Sequence, residues 1–531
     1  MNNLLITALI ISVLVALGRG KVGYTLTAFG SILGVGLLAG ILMGNVTDAL
    51  LLATEIQAIY LGFTQSGGVI ASDSIIATAI TVPLCLATGL DRDAALALAI
   101  PVGTVAANLT TVIYIINGHF YRRALKHAEE GNSRGIALNA EVYPVAVRAI
   151  LYGATIFIGI YFGSGLLENL LNITPEWLIT GLSVAGGILP IIGFALVLKS
   201  MRRTDYIPFF VIGFFVIAYF APVERGGYGI TTMGVAIFTV CIAVVKFFLS
   251  GDVDFSMLKA GKEEKANHIF TRRDVNKLYW RWWWFLEAGH NYEGMQALGM
   301  CNAMIPALKK LYPDDQEAFK SALQRHLAYF NTNGIYGAAI PGVVLAMEEE
   351  QALNHEMDEE TFESTVNGIK VGLMGPLAGV GDTIEWGIWN KVFIGMGMSL
   401  TAQGNWIGAI IPWGALLIIS TIEGLTFINL GYRLGSDSIS ALFNGGLAKR
   451  ITDAAGFIGM TMMGALAAQH CNFTFANETL QSIANDFAPK IIVLVLIFVI
   501  NWLLTKKNAK VSYVTFGTIG VAILLAVLHI V

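Results

Sequence analysis

Charge is what this chain has least of. Asp, Glu, Lys and Arg make up 13% of its 531 residues, about half the share of a soluble domain. So few charged groups argue against a body that lives wholly in water. Cysteine is scarce too: Cys85, Cys241, Cys301 and Cys471 lie far apart in mostly apolar sequence, with no C-x-x-C. That spacing argues against a disulfide framework or a zinc site and leaves packed free thiols. No Walker loop is present, which argues against ATP-driven transport. Neither H-E-x-x-H nor a Ser/His/Asp arrangement occurs, which argues against an intramembrane protease. No basic patch is interleaved with aromatics, so nucleic acid is not an expected partner. No metal or cofactor is expected.

What the chain has is apolar length: 55% of it is hydrophobic. Runs with few charges extend over Leu4–Gly18, Val145–Phe162, Trp177–Leu198, Ile207–Ala221, Ile230–Leu249, Ile491–Leu504 and Val511–Val531. Apolar stretches of about 18 residues or slightly fewer are candidate spans. The expected fold is an all-α polytopic membrane protein. The first run lacks a basic leader and a small-residue cleavage site, and Arg19 and Lys21 follow it, so it reads as a retained span.

Two membrane-rich halves flank a polar middle. The expected boundaries are 1–250 for the first membrane domain and 251–277 for a linker dense in both charge signs. The second domain takes 278–531, with an amphipathic helical arm over 278–365 and a membrane part over 366–531. Basic loops (Arg122, Arg123, Lys126 and Arg134; Lys199, Arg202 and Arg203) alternate with non-basic ones. The positive-inside rule then puts the linker and arm in the cytoplasm and Val531 outside. In the arm, Asp314 or Asp315 can cap a helix whose Phe319, Leu323 and Leu327 share one face. Ala339–Met347, followed by Glu348, Glu349 and Glu350, reads as another helix end. The cluster Tyr279–Phe285 suits either the headgroup level or a packed junction.

Three stretches carry polar groups where apolar ones are expected. Ala49–Gly89 is interrupted by Glu55, Gln57, Gln65, Ser66, Ser72 and Asp73. Such a pattern reads as a broken or re-entrant helix, tolerable at membrane depth only against protein or a wet cavity. The second is Gly289–Gln296, holding His290, Asn291, Glu293 and Gln296, with Asn331 and Asn333 downstream. The third is Lys370–Trp386, where four glycines and a proline fall within ten residues just before Asp382 and Glu385. Its composition predicts an interrupted helix. A carboxylate at a helix centre costs roughly 2.5–3.5 kcal/mol on insertion scales, so it is usually paired or faces a polar cavity. Sugar hydroxyls suit carboxylates and amides, and broken helices at mid-membrane are where transporters build such sites. Asp73 and Asp382 also fit a plain capping role, and His290 a plain hydrogen-bonding one.

These stretches resemble the mannose family of the bacterial phosphotransferase system (PTS). The first half is similar to the IIC subunit in the Gly-rich run ending at Asp73, in Leu98-Ala99-Ile100-Pro101, and in Met201-Arg202 through Pro208-Phe209-Phe210. The second half is similar to IID in Tyr292-Glu293-Gly294-Met295-Gln296-Ala297-Leu298-Gly299, in Pro306–Tyr312, in Arg325-His326-Leu327 with Phe330-Asn331-Thr332, and in Lys370–Asp382. The resemblance implies related IIC and IID folds, here in one chain, and a trimer of such pairs in the bacterial inner membrane. It implies sugar passage with no phosphorylated residue on this chain. Separate cytoplasmic IIA and IIB subunits would carry phosphate from phosphoenolpyruvate to the sugar. It further implies a ligand site from Gln57, Gln65, Asp73, His290, Asn291, Glu293, Gln296, Asn331, Asn333, Asp382 and Glu385. Three of these depart from the family pattern: Glu385 replaces an aromatic, His290 a tryptophan and Gln57 a glutamate. The added carboxylate suggests a cationic ligand, an amino sugar or a sugar–amino-acid adduct. An ion-coupled transporter using Asp73, Asp382 and Glu385, or an added role as bacteriocin or phage receptor, are the other classes.

Overall fold

The computed structural model describes residues 2–19, 30–61, 72–163, 176–201, 206–220, 234–235, 238–239, 241–242, 269–354, 357–444, 446–507, 509 and 511–530. Gln65, most of the span candidate Ile230–Leu249 and most of the linker lie outside the described residues. Among the described residues the protein is helical, with only isolated bridges between Asn291, Met295 and Phe330 in place of strands.

Three described helices, Arg92–Glu129, Ser133–Tyr161 and Ile407–Arg433, are long and apolar enough to cross a membrane. Shorter apolar helices surround them, including Leu4–Arg19, Ile32–Met43, Ser74–Thr88 and Ile207–Phe220. Large apolar side chains such as Val105, Ile115, Ile150, Ile158, Ile418 and Ile422 face outward. An exterior of that kind is matched to lipid rather than to water.

The interrupted stretch of the first half is two short helices, Val46–Tyr60 and Ser74–Thr88. Each holds 15 residues, about 22 Å at 1.5 Å per residue, short of the roughly 30 Å hydrocarbon core. Gly44, at φ 76°, ends the helix before the first, and the Asn45 side chain accepts from Asp48 N to start it. Asp73 caps the second, its Oδ1 accepting from Ile75 N and Ile76 N, both at 3.2 Å.

The glycine run of the second half departs from the sequence reading. Glu359–Ile384 is one α-helix of 26 residues, with Pro376 inside it. The irregularity comes later, as a π-turn over Glu385–Trp389 that leads into Asn390–Thr401. The physical reason is solvent. Unpaired backbone groups are far costlier at membrane depth than glycine's propensity deficit, so the helix persists through its weak residues.

Glycine matters most where helices cross. A Cβ on Gly213 would stand 1.9 Å from Thr461 O, and one on Gly464 1.9 Å from Phe210 O. Ile207–Phe220 of the first half and Gly446–His470 of the second therefore meet backbone to backbone, as small residues allow. Thr54 Oγ1 meets Thr401 Oγ1 at 2.6 Å and Tyr206 OH donates to Asp453 Oδ1 at 2.8 Å across the same divide.

The arm is built on Arg272–Phe285, Ala297–Leu311, Gln316–His326 and Ala339–Asn354. Asp315 caps the third, accepting from Ala318 N, and Phe319, Leu323 and Leu327 are buried. Tyr279, Trp282 and Trp283 are buried too, and Tyr279 OH donates to Ser420 O at 3.2 Å. The helix after Ala339 runs on through the glutamates, which are not a solvated end: Glu348 and Glu349 are buried. Glu348 takes Arg325 Nε and Nη2 at 2.9 and 3.0 Å, His326 Nε2 at 2.9 Å and Tyr312 OH at 2.9 Å. Glu349 accepts from the backbone of Ile269 and Phe270 and from Tyr432 OH.

Candidate functional site

The second-half polar residues converge on Asn333. Its Oδ1 accepts from Ile335 N and Tyr336 N at 2.9 Å, which fixes the amide. Its Nδ2 then donates to Asp382 Oδ1 at 3.0 Å and to Glu385 Oε2 at 2.7 Å. Gly381 makes this approach possible, since a Cβ there would lie 2.5 Å from Asn333 Cγ. Glu385 is buried in the π-turn and Asp382 is exposed. One neutral amide thus holds two carboxylates together, and neither caps a helix in the way the sequence allowed for Asp382. π-Turns of this kind often sit at functional positions because they re-aim the side chains they carry.

A second group stands beside it. Gln296 Nε2 donates to Glu287 Oε1 at 2.6 Å and Thr332 O at 2.9 Å, while its Oε1 accepts from Thr332 N at 2.9 Å. His290 Nδ1 lies 3.2 Å from Glu287 Oε2. Glu287 is within electrostatic reach of Asp382, so the two groups share one field. On the far side, Tyr336 OH and Trp389 Nε1 donate to Glu423 Oε1 at 3.1 and 3.2 Å.

The first half reaches this place by a route the sequence did not show. Asn117 Nδ2 donates to His290 O at 2.9 Å and Ala288 O at 3.3 Å, and Arg148 Nη2 to Glu287 O at 3.3 Å. Tyr114 stacks on His290 at 4.8 Å, with Arg148 over its ring at 5.7 Å. Arg19 pairs with Asp73 and stands over Tyr152. Asn117 Oδ1 and Arg148 Nε are buried without a protein partner. An acceptor on Arg92–Glu129 and a donor on Tyr143–Tyr161, both side chains anchored to the carbonyls of Glu287–His290, suit a water or a ligand hydroxyl.

The remaining candidates are dispersed. Asn291 holds its own turn, accepting from Glu293 N and Gly294 N at 3.0 and 2.9 Å. Glu293 faces outward and pairs with Arg122 at 2.5 Å. Asn331 is exposed, its backbone N–H on Met374 Sδ. Gln57 is buried within Val46–Tyr60. Lys391, six residues after Glu385, sends its ammonium to the Leu61 carbonyl of the first half. Sequence reasoning missed Arg148, Glu287 and Glu423. A lone arginine in the apolar run Val145–Phe162 was the available signal, because intramembrane charge marks function by default.

Comparison with known proteins agrees with this two-part construction. Residues 269–531 match the family described as PTS system mannose/fructose/sorbose family IID component, and 5–245 match PTS system sorbose-specific IIC component. The mannose-specific EIID component of Escherichia coli K12 is 36% identical over 267 residues, covering 48% of this chain and 92% of that one. The chain belongs to this PTS permease family. It joins a IIC-like and a IID-like part that are separate proteins in that organism, whose mannose-specific EIIC component is 30% identical over 188 residues, 34% of this chain and 68% of its own. A solved structure described as a membrane protein is 32% identical and covers 50% of this chain and 99% of its own, with a TM-score of 0.46. Permeases of this family are membrane components and not phosphotransferase enzymes in their own right.

Proposed function

We propose that this permease moves a hexose or hexose derivative inward across a bacterial inner membrane for phosphorylation by a separate cytoplasmic IIB, itself charged by IIA. In this reading 1–250 is the IIC-like membrane domain, 251–277 a cytoplasmic linker and 278–531 the IID-like domain, and three copies form the working unit. The ligand sits at the junction of the halves, near Asp382, Glu385 and Asn333. The observation that carries the reading is Asn333 bridging the exposed Asp382 and the buried Glu385. Two carboxylates joined by a fixed amide accept hydroxyl protons, and they favour a ligand with an amine, such as an amino sugar or a sugar–amino-acid adduct.

A charge-assisted hydrogen bond contributes about 1.5–3 kcal/mol, or roughly tenfold to a hundredfold in affinity. Competition measures it. Unlabelled glucosamine or glycated lysine should displace the transported sugar roughly tenfold or more better than mannose does. Glu385→Gln should erase most of that preference while mannose competes as before. Equal inhibition by neutral and cationic sugars in both proteins would remove the amine from the proposal. Loss of uptake in a strain lacking the general PTS phosphocarriers tests the energy source separately.

A further inference from the structure

We propose that the helix Glu478–Phe487 lies in the plane of the membrane interface, at the end of the bundle that holds Ile530, with lipid as the partner of its apolar face. By the standard of a protein surface this helix is inside out. Leu480, Ile483 and Phe487 are 50%, 61% and 81% exposed, and no residue of the helix is buried. At 3.6 residues per turn these three and Ala484 share one side, while Glu478, Gln481, Ser482, Asn485 and Asp486 share the other. A surface helix in water turns its apolar side inward. Here Gln481, on the polar side, folds back on the loop that leads into the helix, its Oε1 accepting from Phe475 N at 2.9 Å.

Both ends are fixed, so the helix cannot roll to hide its apolar side. Ala476 N donates to Ile530 O at 2.9 Å, and the Asn477 side chain caps the first turn. At the other end Lys490, at φ 57°, sends its ammonium to Ala468 O at 2.7 Å and Asn472 Oδ1 at 2.9 Å. The chain then turns by 80° into Ile491–Thr505, which exposes Val495, Val499 and Trp502 on its flank. Ile491–Thr505 is apolar along nearly its whole length, and an 80° turn away from a helix set along the membrane normal leaves its predecessor close to the membrane plane. Lipid then covers the apolar side of Glu478–Phe487 as it covers the exposed Val495, Val499 and Trp502. Amphipathic interfacial helices are usually basic on the polar side. This one carries Glu478 and Asp486 there, so apolar burial holds it and anionic headgroups do not.

The test is spin-label accessibility in the full chain, reconstituted in phosphatidylcholine nanodiscs with Cys241 replaced by serine. The other three cysteines are buried and stay unlabelled. Labels at Leu480→Cys, Ile483→Cys and Phe487→Cys should show an oxygen-over-nickel-chelate accessibility ratio several-fold above that at Asn485→Cys. The ratios should be the same in phosphatidylglycerol discs. Water-like accessibility at all four positions would overturn the proposal. Shielding of positions 483 and 487 from both reagents would overturn it too, since a second copy or another protein would then cover the face. Leu480→Cys, one turn earlier, gives an independent reading should either later substitution disturb the fold.

Discussion

Single residues carry the strongest commitments in the arm, whose helices Gln316–His326 and Ala339–Asn354 are not among the candidate membrane spans. Burial alone would raise the Glu348 carboxyl, but the hydrogen bonds and charges of His326 and Arg325 outweigh it and hold it down at about 2. Burial lowers His326 to about 4. The imidazole is therefore neutral at pH 7, and Arg325 supplies the matching charge. Removing one partner of a buried ion pair costs about 3–5 kcal/mol, because the other charge is left stranded. Arg325 keeps Glu359 through its Nη1, so Glu348→Gln should destabilise the arm by less than that, seen as faster hydrogen exchange over 316–327. The pH dependence has a fixed sign. Both folded values lie below the unfolded ones of about 6.5 and 4.3, so the unfolded arm binds more protons and stability falls with falling pH. The His326 contribution is complete above about pH 6.5 and is lost toward pH 4; that of Glu348 is complete above about pH 4.3 and is lost toward pH 2. Protection of this helix that stayed flat from pH 7 to pH 4 would show that the network does not hold it.

At the scale of elements, two kinds of glycine are separable. Gly213 and Gly464 sit where an added Cβ would strike the backbone of the opposing helix at 1.9 Å. Gly375, in the glycine run, has open space around that position. Gly464→Ala should lower the melting temperature of the detergent-solubilised chain, at an overpacking cost of about 1–3 kcal/mol or more. Gly375→Ala should raise it slightly, since alanine gains about 0.8–1.0 kcal/mol over glycine inside a helix. Equal effects from both would mean that the two halves do not meet as described. The same contrast explains what the sequence could and could not tell. The arm helix over 316–326 was legible because a capping aspartate and an apolar repeat of four are local signals. The glycine run misled because composition records propensity and not the solvent that overrides it. Glu348 and Glu349 misled for a related reason: a run of acids usually marks water, and nothing nearby in the chain announces Arg325, His326 and Tyr312 waiting for Glu348, or Ile269, Phe270 and Tyr432 for Glu349. Within the candidate site, the Asn333–Asp382–Glu385 group lay in stretches already marked by polar residues in apolar surroundings. Arg148 and Glu287 did not stand out, because their partners are backbone groups and side chains brought together from both halves.

At the scale of the whole molecule, we propose a polarity along the membrane normal. Arg92–Glu129 has 38 residues, about 57 Å long, against a hydrocarbon core of roughly 30 Å. One end of it must project, and the arm is packed on the end that does: Tyr121 OH donates to Leu327 O at 2.8 Å and Arg122 pairs with Glu293. Arg122, Arg123 and Lys126 lie at that end, which we propose to be the cytoplasmic one. Glu478–Phe487 and Ile530 are joined through Ala476, and we propose that they lie at the other face. In the orientation we propose, a sugar released inward emerges beside the arm, on the side a soluble phosphoryl donor can reach. The chain has no phosphate-cradling loop of its own, so it should form no sugar phosphate unaided. In proteoliposomes given phosphoenolpyruvate and the general phosphocarriers, product should appear when IIA and IIB are added and stay at background when IIB alone is omitted. A spin label or larger adduct on Glu317→Cys, whose side chain is exposed on the arm, should leave sugar binding unchanged and slow phosphorylation by the donor. Sugar phosphate made without IIB would mean that the chain holds the transfer chemistry itself, and the division of labour between permease and donor would fall with it.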